Sequence, residues 1–276
     1  MKSAGFTLIE LLVAVALALV VLFAASNLLI SSSGSATNLQ ARNELLQEGQ
    51  IAMNYIATNV REAAYVYPDG TTLNLGGGDT TRRPGGGSWR VGDANAPILA
   101  LIRAPRRDVA TCSNADEEAR AGCYYFIAYY PVLRDTWVRN IDPDGQNHPG
   151  MDPANADRWL LVEYRCRFPG TSAPTLAQLQ ARLTEGSCSS GGGLSGETGR
   201  LLLDYVQPAV TNLPRLFTIQ ADAPQTPGNV RVTLNLSLSR VASGKEVNIP
   251  ARTSADPSTW TQALSAAPRN IGTLPP

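Results

Sequence analysis

An unbroken apolar segment dominates the N-terminal part of the chain. No formally charged residue lies between Glu10 and Arg42, and every residue from Leu11 to Ala25 is apolar. The wider segment from Phe6 to Ile30 covers 25 residues, and a helix needs about 20 to cross a bilayer. Lys2 precedes it, so the positive-inside rule places the N-terminus in the cytoplasm and everything after Ile30 outside. The pattern therefore predicts a membrane-spanning helix.

A helical repeat of apolar residues continues beyond this segment. It is formed by Leu46, Met53, Ile56, Val60, Ala64 and Tyr67. Charged residues lie on the opposite side, namely Arg42, Glu44, Glu48, Arg61 and Glu62. No proline occurs before Pro68, so one helix is predicted from Phe6 to Tyr67, about 90 Å long. Poor helix formers cluster at 31–35, where the helix is expected to be weakest. Its second half is expected to pack on its own domain.

After Pro68 the pattern changes to loops and short β-rich runs. The runs are Ile98–Ile102, Tyr124–Tyr130, Trp159–Tyr164, Leu201–Val206, Leu216–Ile219 and Arg231–Arg240. In the last run apolar and polar residues alternate, which is typical of a half-buried antiparallel strand. A turn at 242–245 then lets Val247–Ile249 pair back, and the proline-rich tail from Asp256 to Pro276 is expected to be loosely held.

These elements predict an α+β fold. A long N-terminal helix, first transmembrane and then amphipathic, packs on an antiparallel β-sheet with long loops. The predicted division is a leader peptide at 1–5, the helix at 6–67 and a β-rich globular domain at 68–276.

The apolar segment has three interpretations. It is an ordinary signal peptide cut near Ala24-Ala25-Ser26, a plain membrane anchor, or a specialised signal that is retained. The first two leave Glu10 unexplained, because a carboxylate inside an apolar run is costly and marks a functional residue by default.

The third interpretation accounts for Glu10. The run Gly5-Phe6-Thr7-Leu8-Ile9-Glu10, followed by the apolar segment, resembles the class III signal of type IV pilins and type II secretion pseudopilins. The resemblance implies that a prepilin peptidase cuts after Gly5 and methylates the new Phe6 amine. It also implies that Glu10 acts in assembly, as the glutamate that pairs with the amine of a neighbouring subunit.

A second pattern narrows the resemblance within that family. The run from Leu46 to Ala63 and the size of the globular part resemble the PilW group of minor pilins. This implies a role in priming assembly of a type IV pilus and being incorporated into it, with other minor pilins and the major pilin as partners. It also implies a bacterial inner-membrane protein with a periplasmic domain that later enters the filament. A minor pseudopilin of a type II secretion system and a tip adhesin that binds a surface ligand are the alternatives.

Charge and cysteine content add two constraints. Lys plus Arg and Asp plus Glu are both 23, and this zero net charge gives no electrostatic footprint for nucleic acid or for an acidic membrane surface. Four cysteines lie outside the membrane in the predicted orientation, where disulfides form. The favoured pairs are Cys112–Cys123 and Cys166–Cys188, because each brackets a polar loop, although three connectivities exist. A zinc site is the alternative, but there is no Cys-x-x-Cys and His148 is the only histidine.

The case for a catalytic or cofactor site is weak. His148 lies in a Pro/Gly/Asn loop, and nothing marks the other members of a catalytic triad. The glycine-rich run 191–196 matches a dinucleotide fingerprint in letters but lacks the preceding strand. We therefore expect no enzyme activity and no organic cofactor.

A calcium site has more support in the sequence than a catalytic or cofactor site. Oxygen-bearing side chains cluster between Asp142 and Asp157, and calcium prefers such ligands on a flexible loop. Asp142, Asp144 and Asn147 are the candidate ligands. The glycine and glutamate positions do not fit an EF-hand loop, since Gly145 falls too early and Pro153 replaces the glutamate. A solvated turn is the alternative.

Overall fold

The computed structural model describes residues 7–75, 78–105, 123–142, 145, 147–168, 175, 177–178, 199–222, 224–226 and 228–271. The long helix α1 spans Leu8–Arg61, and a short helix α2 spans Arg134–Asn140. The strands are β1 Ala63–Val66, β2 Thr72–Leu73, β3 Trp89–Arg90, β4 Leu99–Arg103, β5 Tyr124–Leu133, β6 Trp159–Phe168, β7 Arg200–Val206, β8 Phe217–Ala221, β9 Val230–Leu236, β10 Leu238–Ala242, β11 Lys245–Ile249 and β12 Gln262–Ala266. Short 3-10 turns occupy Gly78–Thr81, Pro153–Asn155 and Pro257–Thr259.

Helix α1 is continuous through the serine-rich stretch but ends earlier than the sequence predicts. Its 54 residues give a length of about 80 Å. At the expected weak point, Ser35 Oγ donates to the carbonyl of Ser31 at 2.9 Å, so the hydroxyl is satisfied within the helix. The predicted extension to Tyr67 is wrong, because residues 63–66 form β1 and pair with β4. Aromatic and β-branched side chains in this stretch favour a strand over another helical turn.

The strands form three antiparallel sheets within the described residues. The largest has seven strands in the order β1-β4-β5-β6-β7-β10-β11, a second has the order β12-β9-β8, and β2 pairs with β3. The large sheet curls around α1, which contacts both of its ends and the three-stranded sheet. The α+β architecture predicted from the sequence is confirmed.

Both faces of the seven-stranded sheet are covered. Alternate residues of a strand point to opposite faces, and neighbouring residues on β4 and β5 accordingly enter different clusters. Leu101 and Ile127 pack with α1 and the three-stranded sheet. Ile102 and Phe126 pack with the segment that carries β2 and β3 and with Trp137 of α2. The sheet is therefore the middle layer of the domain.

Two predictions about the C-terminal third need correction. The run Arg231–Arg240 is divided between two sheets, since β9 ends at Leu236 and β10 begins at Leu238. The chain changes sheets at Ser237, whose carbonyl accepts the Gln207 N–H at 2.9 Å. The tail is also not loose throughout, because residues 262–266 form β12 along β9. Its alternating burial shows the two-residue period that marks an edge strand.

Candidate functional site

The first turn of α1 is closed by a capping box. Thr7 is the N-cap, and its hydroxyl accepts the Glu10 N–H at 3.4 Å. Glu10 Oε2 in turn accepts the Thr7 N–H at 2.9 Å and the Thr7 hydroxyl at 2.9 Å. The reciprocal pair satisfies two N–H groups that the helix leaves unbonded at its start. The Thr-x-x-Glu spacing ahead of an apolar run is a signal for this cap that the sequence analysis missed.

The first half of α1 presents only apolar surface. From Leu8 to Ile30 the large apolar side chains are 51–80% exposed. By length and composition this part of the helix can cross a membrane, and it is packed against nothing in the described chain. Water would penalise such a surface by about 25 cal/mol per Å², so this half requires a bilayer or neighbouring helices.

The second half of α1 packs against the domain in one axial position. Its buried residues are Ala41, Leu45, Gly49, Ala52, Met53, Ile56, Ala57, Asn59 and Val60. At Gly49 a Cβ atom would lie 3.0 Å from a methyl carbon of Leu238. A side chain at position 49 would require the end of the Leu238 side chain to shift by a few tenths of an ångström, so glycine eases the close approach of α1 to β10.

A buried polar cluster fixes the rotation of α1 against the sheet. Asn59 is 1% exposed, and its Nδ2 donates to the Tyr129 hydroxyl at 2.8 Å. Its Oδ1 accepts from the Arg103 guanidinium at 3.3 Å. A rotation of one residue about the helix axis would break both bonds, so the cluster specifies which face of α1 meets the sheet.

A second polar cluster joins α1 to β7 and α2. Arg240 bonds to Glu44 of α1 at 3.0 Å, and its guanidinium lies 4.7 Å from the centre of the Tyr205 ring. The Arg134 guanidinium contacts the same ring at 5.5 Å and bonds to Asp204 at 3.1 Å. Burial raises the pKa of Asp204, although Arg134 opposes that shift. The aromatic ring is thus held between two cations.

Glu48 lies one helical turn after Glu44, and its negative charge is unfavourable for the folded state. Partial burial raises the pKa of Glu48, and the negative charges of Asp204 and Glu44 add to that shift while Arg240 opposes it. The carboxylate is therefore less stable here in its charged form than in water.

Comparison with known proteins supports the interpretation of the N-terminal segment. A family model described as a prokaryotic N-terminal methylation motif matches residues 1–26. The match supports a type IV pilin-like protein. No curated protein and no solved structure matches the chain.

A pilin-like protein of this kind works in a pilus or pseudopilus system, and the motif implies a structural rather than a catalytic role. The apolar helix and the motif together support anchoring in a membrane. Processing by a prepilin peptidase is consistent with the same motif. The predicted cleavage residues, Gly5 and Phe6, lie outside the described residues, whereas Glu10 lies in the first helical turn.

The cysteines are described only in part. Cys123 and Cys166 are both disulfide-bonded, whereas Cys112 and Cys188 lie outside the described residues. Cys123 is 1% exposed and Cys166 is fully buried. The predicted pairs Cys112–Cys123 and Cys166–Cys188 stay a prediction.

The loop after α2 is held by internal hydrogen bonds. The backbone carbonyl of Asn147 accepts the Trp137 indole N–H at 2.9 Å. His148 Nδ1 accepts the Gly150 N–H at 3.0 Å. Asp142 and Asn147 are described, whereas Asp144 is not, and the described residues contain no group of three or more His, Cys, Asp or Glu placed to hold a metal ion. Calcium binding by this loop stays a prediction.

Proposed function

We propose that the protein is a minor pilin of the PilW type, which helps prime assembly of a type IV pilus and is incorporated into it. The observation that carries the proposal is the division of α1. The first half is an apolar helical rod that the domain leaves uncovered and that carries Glu10 in its first turn. The second half is packed against a large β-rich domain. A subunit built this way can enter a helical bundle through its rod while its domain stays folded.

The proposed assembly mechanism depends on two charges near the start of the rod. Cleavage after Gly5 would leave a positive amine on Phe6, four residues before Glu10. Neither charge is stable alone in an apolar environment. A staggered neighbour can present its amine to the Glu10 carboxylate, and this attraction is strong at low dielectric and falls off when the axial register is wrong. The capping box supports the proposal, because it orders the helical turn that carries the carboxylate.

Capture of partners tests the proposal directly. Tagged protein extracted from membranes should co-purify with other minor pilins and with the major pilin. Glu10→Ala should reduce that recovery, whereas Gln50→Ala, on an exposed position of the docked half, should leave it unchanged. Recovery of secretion-system pseudopilins instead would favour the pseudopilin alternative.

The expected processing gives a separate test. Mass analysis of the N-terminus should show a chain that begins at Phe6 and carries a methyl group on its amine. A chain that begins near Asn27 would instead indicate an ordinary signal peptide and would overturn the pilin-like mechanism.

One observation favours the tip-adhesin alternative. An open groove of about 540 Å³ lies between the two larger sheets, under the loop of residues 207–216. Its lining combines Trp159 with neutral amides such as Asn95 and Asn235, and Arg215 within it bonds to the Gly92 carbonyl at 2.6 Å. Such a lining suits an uncharged polar ligand. If the purified protein binds to an intact surface but does not capture other pilins, the result would support a role in adhesion and not in assembly.

A further inference from the structure

The β10–β11 hairpin points toward the apolar half of α1. Leu238 at the start of β10 lies against Gly49, and Arg240 bonds to Glu44. Continuing along β10 therefore means moving back along α1 toward its N-terminus. The turn at 243–244 follows, and Lys245 then lines a hollow of about 350 Å³ together with Asn38 and Arg42 of α1. The hairpin tip is thus on the membrane side of the domain.

This hollow carries uncompensated positive charge. The side chains of Arg42 and Lys245 are exposed, and neither has an ion-pair or hydrogen-bond partner among the described residues. A third cation in the hollow, Arg252, is neutralised by Glu246 at 3.4 Å. Two unpaired cations in a chain of zero net charge are a local surplus, so the hollow attracts an anion.

The hollow lies just above the layer of lipid headgroups. Leu11 to Ile30 makes 20 residues, a length of about 30 Å that equals the hydrocarbon core. Asn38 and Arg42 lie eight and twelve residues further, about 12 and 18 Å above that boundary, whereas the headgroup layer covers the first 5–7 Å or so. An extended Lys or Arg side chain covers about 6 Å of the remaining distance, and a helix tilt of about 20°, which is usual in bilayers, lowers the hairpin side of the domain further toward the headgroups. Side chains of a helix also point toward its N-terminus, which directs Arg42 to the membrane.

The hollow also holds two amide oxygens without partners. Asn38 Oδ1 and Asn248 Oδ1 are buried and accept no hydrogen bond within the described chain, and both residues line the hollow. Neither oxygen has accessible surface, so the contact with the phosphate rests on the two cations alone.

We propose that the hollow formed by Asn38, Arg42, Lys245 and Asn248 binds the phosphate headgroup of an anionic glycerophospholipid in the membrane that α1 enters. The contact fixes one side of the domain to the bilayer before the subunit leaves it. This inference depends on membrane anchoring and not on the pilus-assembly role, so either can fail alone.

Hydrogen exchange of the full-length mature protein in bilayer discs tests this inference. Amides of the hairpin, residues 243–249, should exchange more slowly in discs containing phosphatidylglycerol than in discs of phosphatidylcholine, on the order of fivefold per bound cation. The difference should shrink at about 0.5 M salt, where charges are screened within a few ångströms. Lys245 is the only lysine besides Lys2, so amine labelling at this residue gives a second readout in the same discs.

Three variants test whether the protection depends on the two unpaired cations. The double variant Arg42→Gln/Lys245→Gln should lose the protection, whereas Lys245→Arg should keep it. Arg231→Gln removes another exposed cation, from β9, and should also keep it. Equal exchange in both kinds of disc would overturn the proposal, as would protection that survives the double Gln variant. Protection in phosphatidylcholine discs on addition of inorganic phosphate alone would show that a free anion, and not a headgroup, is the ligand.

Discussion

Replacing Asn59 by alanine removes the contact that fixes the rotation of α1. Three hydrogen bonds disappear, to the Tyr129 hydroxyl, to Arg103 and to the carbonyl of Tyr55. Tyr129 and Arg103 are 0% and 5% exposed, so water cannot readily replace the lost partner. Each buried polar group left unpaired costs about 1–3 kcal/mol. Since Arg103 keeps its contact with the Tyr125 ring at 4.8 Å, we expect a total destabilisation of about 2–4 kcal/mol.

Thermal unfolding of the mature protein in detergent micelles measures this effect. A loss of that size lowers the midpoint by roughly 5–15 °C for a domain of this length. Thr58→Ala is the matched control, because Thr58 is adjacent, exposed and bonded only to the carbonyl of Asn54 in its own helix. It should change stability by less than about 0.5 kcal/mol.

A double-mutant cycle with Tyr129→Phe separates the hydrogen bond from simple loss of packing. The two changes should couple by about 0.5–3 kcal/mol, because both remove the same buried hydrogen bond. Additive effects, or an Asn59→Ala midpoint equal to that of Thr58→Ala, would refute the role assigned to this cluster.

Further predictions concern charge, redox state and metal. Glu10→Gln keeps the capping-box acceptor but removes the charge, so it should start α1 normally yet reduce pilin capture as much as Glu10→Ala; capture at the wild-type level would mean that Glu10 serves only as a helix cap. Because the folded-state pKa of Glu48 is raised above its ordinary value of 4.5, its charged form opposes folding above that pH, and protonation relieves the strain as pH falls. Glu48→Gln should therefore raise the unfolding midpoint at pH 7 more than at pH 4, and an equal rise at both would contradict this. Unreduced protein should show no thiol labelling at any of the four cysteines, and reduction should cost on the order of 3 kcal/mol per predicted bridge; labelling of all four in native protein would exclude disulfides. If the loop after α2 binds calcium, added calcium should raise the midpoint and Asp142→Asn should abolish that rise, whereas no response to calcium or chelator would leave a solvated turn.

The sequence predicted the parts of the fold that depend on local pattern. The charge gap and the apolar repeat predicted α1, and alternation predicted β9, because both reflect which face of an element is buried. The end of α1 was missed because Ala63 and Ala64 fit a helix as well as a strand. Pairing with β4 decides their structure, and that partner lies about forty residues away in sequence.

The candidate site could be predicted only where it depends on consecutive residues. Gly5, Phe6 and Glu10 form a linear motif within residues 1–26, which the family model matches, and their individual roles stay a prediction. The clusters around Asn59 and Tyr205 unite residues from three and four elements, respectively, and no spacing in the chain reveals such contacts. Helix α2 was missed because its seven residues are too few to show a period.

The way α1 is attached has a mechanical consequence. Its contacts with the domain are distributed from Glu44, which bonds to Arg240, to Arg61, whose carbonyl accepts the Arg269 N–H at 2.9 Å. The bonds therefore span about 26 Å of helix. A force that pulls the rod along its axis loads all of them at once in shear, whereas a sideways force would load them one after another. A fibre under tension pulls its subunits in the first way, so the domain resists force in the direction in which a pilus would apply it.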